Sequence, residues 1–298
     1  MISLKSALIQ LTVHVAAVIA LHATVPPGTG QFDFINPANG DTLTVFYVKA
    51  ASYNPADPPV LVLHGMKRNA DEYRDAWIEL AEEHGFFVVV PLFREEAFPG
   101  TVGYNLGNVF ISETDLTKTP EKTWSYIVPD KLFDYLREES GDTTAAGYMA
   151  FGHSAGSQFL HRKVAFVPDD RLLLSVAANA GWYTFPNQKE PWPYGFAGTG
   201  IRECELPPFL ASNMVLLLGD QDIDPNHESL RKTPEAMRQG LHRYERGHNF
   251  HAAGKALADK LGVDFKWRIE TVPGVAHDNT GMAPAAARYM AEEMKREN

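Results

Sequence analysis

The stretch from Gly147 to Ala165 restricts the fold more than any other. A short apolar run, Tyr148-Met149-Ala150-Phe151, ends in Gly152-His153-Ser154-Ala155-Gly156, and an amphipathic segment follows at once. This is Gly-x-Ser-x-Gly between a strand and a helix. A sharp turn there forces one residue into a strained backbone conformation and exposes its side chain. Gly152 and Gly156 flank Ser154 because a Cβ at either place would crowd the turn. Ser154 Oγ then stands at the end of a sheet, above a helix N-terminus, where the free amide of Ala155 welcomes negative charge.

At 298 residues the chain has room for one large or two small domains, and no linker divides it. A hydrophobic content of 45% with 11% aromatics is ample for a large core. The 27 basic and 37 acidic residues give a formal charge of −10, which argues against a nucleic-acid partner, since phosphate binding requires a positive surface. Cys204 stands alone in Arg-Glu-Cys-Glu, so no intramolecular disulfide forms. The acidic neighbours oppose a thiolate there, which argues against a cysteine nucleophile.

The N-terminus reads as an address. Lys5 precedes an apolar stretch, Ala7 to Ala23, broken by Gln10, Thr12, His14 and His22. An export signal over residues 1–23 fits this length better than a spanning helix. Leu21-His22-Ala23 has a small residue only at its last position, and an uncleaved, membrane-attached helix is the alternative. The expectation is a periplasmic or secreted protein without stable membrane insertion once the signal is removed.

Along the remainder, Thr24 to Asn39 is rich in Pro and Gly and reads as an extended lead-in. Asp41–Ala50 alternates as an antiparallel strand near a sheet edge, and Val60–Leu63, Phe86–Val90, Leu172–Ala178, Met214–Leu218 and Phe265–Val272 read as further strands. A helix is expected from Asn69, another over Trp124–Glu139, one after Ser154, one or two over 228–262 broken near Gly247-His248-Asn249, and a closing one from Pro284. His161-Arg162-Lys163 reads as a solvated face. The loop holding Tyr104 to Asn108 follows a strand and is expected to wall a pocket, as loops at carboxyl ends of parallel strands do. Residues 185–209 hold prolines 186, 191, 193, 207 and 208 with Trp192, Tyr194 and Phe196, too much proline for one helix.

Three further marks carry chemistry. Val60–Leu63 ends in His64-Gly65-Met66. Met214–Leu218 ends in Gly219-Asp220-Gln221-Asp222-Ile223-Asp224, where three carboxylates compete. The last strand is followed by Val275-Ala276-His277. A calcium loop at Asp222, Asp224 and Asn226 is disfavoured, because His227 and Thr233 stand where such a loop needs Gly and Glu. His248 and His251 are joined by no carboxylate or cysteine cluster, so no metal site is expected. No dinucleotide-binding or Walker sequence appears, and no cofactor is expected.

Taken in that order over residues 40–296, these marks resemble the α/β-hydrolase superfamily, in particular secreted esterases of the poly(hydroxyalkanoate) depolymerase-like and feruloyl esterase-like kinds. The resemblance implies a single α/β domain over 24–298, with a mostly parallel sheet and helices on both faces. A lid or cap would fall at 185–209. It implies Ser154 as nucleophile, His277 as base and an acid three residues after Gly219, which is Asp222; Asp220 and Asp224 remain alternatives. The Met66 and Ala155 amides would form the oxyanion hole, and Tyr104, Trp182 and Tyr183 would contact substrate. Hydrolysis of a small or polymeric carboxylic ester is the expectation. An amidase or peptidase with the same triad, and a non-catalytic binding protein on the same fold, are the alternatives.

Overall fold

The computed structural model describes residues 24–297, and the export segment expected at 1–23 lies outside them. The strands are β1 (Gly28–Ile35), β2 (Thr42–Lys49), β3 (Val60–Leu63), β4 (Phe87–Pro91), β5 (Tyr148–His153), β6 (Leu172–Ala178), β7 (Met214–Gly219) and β8 (Arg268–Val272). They form one sheet in the order β1-β2-β4-β3-β5-β6-β7-β8. The β1–β2 and β2–β4 pairs are antiparallel and the rest parallel. The helices are α1 (Ala70–Asp75), α2 (Ile78–His84), α3 (Gly100–Gly103), α4 (Val128–Asp134), α5 (Ala155–Phe166), α6 (Pro207–Leu210), α7 (Pro234–Gln239), α8 (Arg243–Leu261) and α9 (Asn279–Glu297).

The central strands are apolar throughout because both faces are covered. On one face Val60, Val62, Met149, Phe151 and Val176 meet Trp77 and Ala81, with Met282, Ala286 and Met290 of α9. On the other, Leu61, Leu63 and Ala150 meet Leu132, Phe159 and Leu160 of α4 and α5, and Leu216 meets Phe250 and Leu257 of α8. This is the mostly parallel, double-sided architecture expected.

Four local expectations are corrected. The lead-in contains β1, whose Phe32 and Phe34 alternate with polar residues and pack beside Tyr135. The helix from Asn69 is two, α1 and α2, offset around the buried Trp77. The chain breaks at Gly240 to His242, while α8 runs unbroken through Gly247, where any Cβ would meet the Leu218 side chain at 2.5 Å. Finally, His161, Arg162 and Lys163 are fully buried. The segments after β4 and β6 fold over α5, and Lys163 Nζ pairs with Asp130 at 2.8 Å beneath them.

At the opposite end from these loops the segment ahead of β1 is fastened. Asp142 accepts from Val25 N–H at 3.0 Å and from Lys49 Nζ at 2.8 Å. Lys49 Nζ also donates to the Val25 carbonyl at 3.2 Å. Lys49 ends β2 opposite Phe87, the first residue of β4, so this knot lies at the amino ends of the parallel strands.

Candidate active site

The turn between β5 and α5 is the strained one its sequence requires. Ser154 has φ 58° and ψ −114°, outside the helical and strand regions. A Cβ on Gly152 would come within 2.3 Å of the Gly156 carbonyl oxygen, and one on Gly156 within 2.0 Å of the Leu63 carbonyl oxygen. Those contacts are with backbone, so neither glycine is replaceable without moving a strand. Ser154 N–H donates to the Ala178 carbonyl at 3.0 Å, which ties the strained residue to β6.

The turns after β7 and β8 are stitched together. Gln221 N–H donates to the Val275 carbonyl at 2.9 Å. Asp220 Oδ1 accepts from Gly274 N–H at 2.7 Å. Asn179, at φ 48°, accepts from Gly219 N–H at 2.9 Å and donates through Nδ2 to the Ala276 carbonyl at 3.0 Å. The outcome is a line of three side chains. His277 Nε2 lies 3.0 Å from Ser154 Oγ, and His277 Nδ1 lies 2.8 Å from Asp222 Oδ2. The carboxylate only accepts, so Nδ1 carries the proton and Nε2 is left to receive one from the hydroxyl. Of the three competing carboxylates, Asp222 alone meets the imidazole. Asp220 holds Gly274, and Asp224 accepts from Asn226 N–H at 2.8 Å.

The second oxygen of Asp222 is also engaged. Arg243 Nη1 donates to Oδ1 at 3.1 Å, and both side chains are almost wholly buried. Arg243 Nη2 donates to Ser229 Oγ at 2.9 Å. Burial, then the positive charge of Arg243 and the neighbouring His227, hold the His277 pKa below 6.5 against the pull of Asp222. His153 packs on the His277 ring at 4.7 Å between centroids, and burial keeps it neutral.

Met66 follows β3 in a tightly held turn. His64 Nδ1 donates to the Gly65 carbonyl at 2.9 Å while its Nε2 accepts from Phe93 N–H at 3.1 Å. That arrangement requires a neutral ring, and burial lowers its pKa to about 3. Arg68, at φ 58°, donates to the carbonyls of Phe93, Phe98 and Gly100 and braces the turn from outside. The Met66 and Ala155 amides donate to no backbone carbonyl among the described residues.

Ser154, His277, Gly65 and Met66 line a cleft of about 390 Å³ together with polar side chains including Lys67, Gln158, His227 and Arg243. Three expected substrate contacts lie elsewhere. Tyr104 is buried and donates to the His64 carbonyl at 2.7 Å. Tyr183 is buried, stacked on Phe250. Trp182 is buried, its indole between the Arg162 and Arg231 guanidiniums at 4.1 and 4.5 Å. Residues 185–209 line none of the cleft; Trp192, Tyr194 and Phe196 turn inward against the core. Packing claims these rings because α5 presents an apolar and cationic surface to cover. Arg243, Asn179, Arg68 and Gln158 carry no motif, and only the fold brings them to the site. Among the described residues no cluster of metal-ligating side chains occurs, and no helix is long and apolar enough to cross a membrane.

No family model matches the sequence, and no curated protein matches it. Solved structures do. Poly(aspartic acid) hydrolase-1 from Sphingomonas sp. KT-1 superposes with a TM-score of 0.84 at 38% identity, over 89% of this chain and 99% of that one. A poly(3-hydroxybutyrate) depolymerase from Bordetella parapertussis gives 0.82 at 33% identity, over 92% and 94%. An S-formylglutathione hydrolase from Agrobacterium tumefaciens gives 0.58 at 14% identity, over 92% and 98%, a likeness of fold alone.

Proposed function

This chain belongs to the α/β-hydrolase superfamily of hydrolytic enzymes, and on that footing we propose that it cleaves carboxylic esters through an acyl-Ser154 intermediate. The observation that carries the proposal is the unbroken contact line from Ser154 Oγ through His277 to Asp222. In this mechanism Ser154 Oγ attacks the ester carbonyl carbon as its proton passes to His277 Nε2. The carbonyl oxygen becomes an oxyanion and accepts from the Met66 and Ala155 amides. Collapse breaks the bond to the alcohol, which leaves with the proton from His277. Water then attacks the acyl carbon, giving its proton to His277, and the acid departs as Ser154 regains a hydrogen. Asp222 fixes the imidazole tautomer and stabilises the imidazolium. Arg243 on Oδ1 prevents the carboxylate from rotating and leaves Oδ2 for His277.

A second reading is depolymerisation of a polyester or polyamide on the same machinery. It is supported by the two structures above 30% identity, both named for action on polymers. The apolar N-terminal stretch after Lys5 supports export, which would bring the enzyme to such a substrate. The test is a panel of p-nitrophenyl esters of rising chain length, a polyester film and a peptide, assayed with wild type and Ser154→Ala. Turnover of esters that falls by about 10⁴-fold or more in Ser154→Ala, with thermal stability retained, is expected. Undiminished turnover in that variant would remove the nucleophile, and activity confined to the peptide would replace the ester assignment.

A further inference from the structure

We propose that Gln158, Gly181 and Arg243 form a second contact point for substrate, a pair of N–H donors that receives a neutral acceptor oxygen outside the scissile ester. This rests on the hydrolase mechanism above and adds the kind of ester the cleft prefers. All three residues line the cleft with Ser154 and His277. Gln158 lies one turn along α5, its N–H bonded to the Ser154 carbonyl at 3.0 Å. Its Oε1 accepts from Asn105 Nδ2 at 2.7 Å, which fixes the amide plane. Among the described residues no group accepts from Gln158 Nε2.

Arg243 supplies the other donor. The side chain is 1% exposed, Nη1 is taken by Asp222 and Nη2 by Ser229, and Nε is buried without a partner. An unpaired buried donor is costly, so one that persists beside a cleft points to an acceptor that arrives from outside. Gly181 separates the two. A Cβ on it would lie 3.0 Å from Gln158 Nε2 and 3.9 Å from Arg243 Nε, and within 4 Å of nothing else beyond its chain neighbours. Gly181 is not at positive φ, so its backbone does not require glycine. What the missing side chain provides is space flanked by two donors.

Charge decides what fills it. Arg243 is already paired with Asp222, and the other charged side chains lining the cleft are Lys67 against Glu72, Glu228 and Asp278. A carboxylate would enter a negative surrounding. A hydroxyl, ether or carbonyl oxygen meets both donors without that penalty. The oxygen can be borne on the acyl or on the alcohol part of the ester.

The test compares kcat/KM for ethyl butanoate, ethyl 3-hydroxybutanoate, 2-hydroxyethyl butanoate and monoethyl succinate. One hydroxylated ester should exceed ethyl butanoate by about tenfold, and which one does so identifies the side that carries the oxygen. Monoethyl succinate should gain nothing. Gly181→Ala places a methyl in the space, and Gln158→Glu keeps an acceptor for Asn105 but deletes the donor. Each should bring the preference close to one. The ratio is taken within each variant, so a general loss of activity cancels. Equal rates on the three neutral esters in wild type, or a preference unchanged in both variants, overturns the contact point. A preference for monoethyl succinate overturns its neutral character. Failure of the folded wild type to turn over any ester overturns the hydrolase mechanism, and this inference with it.

Discussion

Asp222 shows how one side chain is singled out by what surrounds it. Three carboxylates follow β7 within five residues, and spacing alone leaves a choice among them. Geometry gives each its own partner, with Asp222 under His277, Asp220 on Gly274 and Asp224 on Asn226. Asp222→Asn should lower kcat by about 10⁴-fold, since an amide favours the wrong imidazole tautomer. Asp224→Asn should stay within about threefold of wild type, because it loses only an exposed turn bond. A larger loss in Asp224→Asn than in Asp222→Asn would reassign the acid. The pH profile follows from His277, which must be neutral to accept a proton. Its pKa lies below 6.5, so kcat/KM should hold down to mildly acidic pH and fall only below that value. Arg243→Met removes a positive charge facing an imidazole that His227 and His153 also crowd, so the acid limb should move to higher pH. A limb that stays put would show that Arg243 does not act on His277. Ser154, His277 and the competing carboxylates were legible in the sequence because strand ends announce them. Arg243 was not, since nothing near residue 243 refers to Asp222 until β7 and α8 are packed together.

The helix that follows Ser154 teaches the opposite lesson. Its His161-Arg162-Lys163 run reads as a wet face, yet the face is covered by chain from 104–126 and 182–196. Coverage of that kind is a long-range property, and periodicity within twelve residues carries no trace of it. The covered cations are bonded, although Arg162 Nη2 is left without a partner among the described residues: Arg162 donates to Thr184 Oγ1 at 2.7 Å and to the Gln158 carbonyl at 2.9 Å, and Lys163 pairs with Asp130, which also accepts from Tyr148. Burial raises the Asp130 pKa while Lys163 and Tyr148 pull it back. Breaking this pair from one side should be expensive. Lys163→Met or Asp130→Leu alone should destabilise by about 3–5 kcal/mol, while the double variant should recover most of that loss. Denaturant unfolding of the four proteins checks this, and additive losses would mean that the two side chains do not depend on each other. The central strands, by contrast, were readable nearly to their ends, because burial on both faces leaves them mostly apolar, whereas the half-exposed β1 was missed and β8 starts three residues later than expected.

Across the whole molecule, neutral imidazoles in the interior set a limit on acid tolerance. His64, His153 and His161 are all buried with pKa values pushed below 6.5 by loss of solvent, His64 to about 3. The unfolded chain therefore binds more protons than the folded one as pH falls below 6.5. Stability is complete above that pH and is lost progressively on descending through it. Unfolding midpoints measured from pH 8 to pH 5 should decline below 6.5, and a flat profile would mean that these rings take up protons without unfolding. The knot of Val25, Lys49 and Asp142 has a different reach. It pins Val25, just ahead of β1, to the end of the sheet turned away from Ser154. Any leash attached ahead of that point would hold the enzyme by its base, with its mouth directed outward to whatever drifts past.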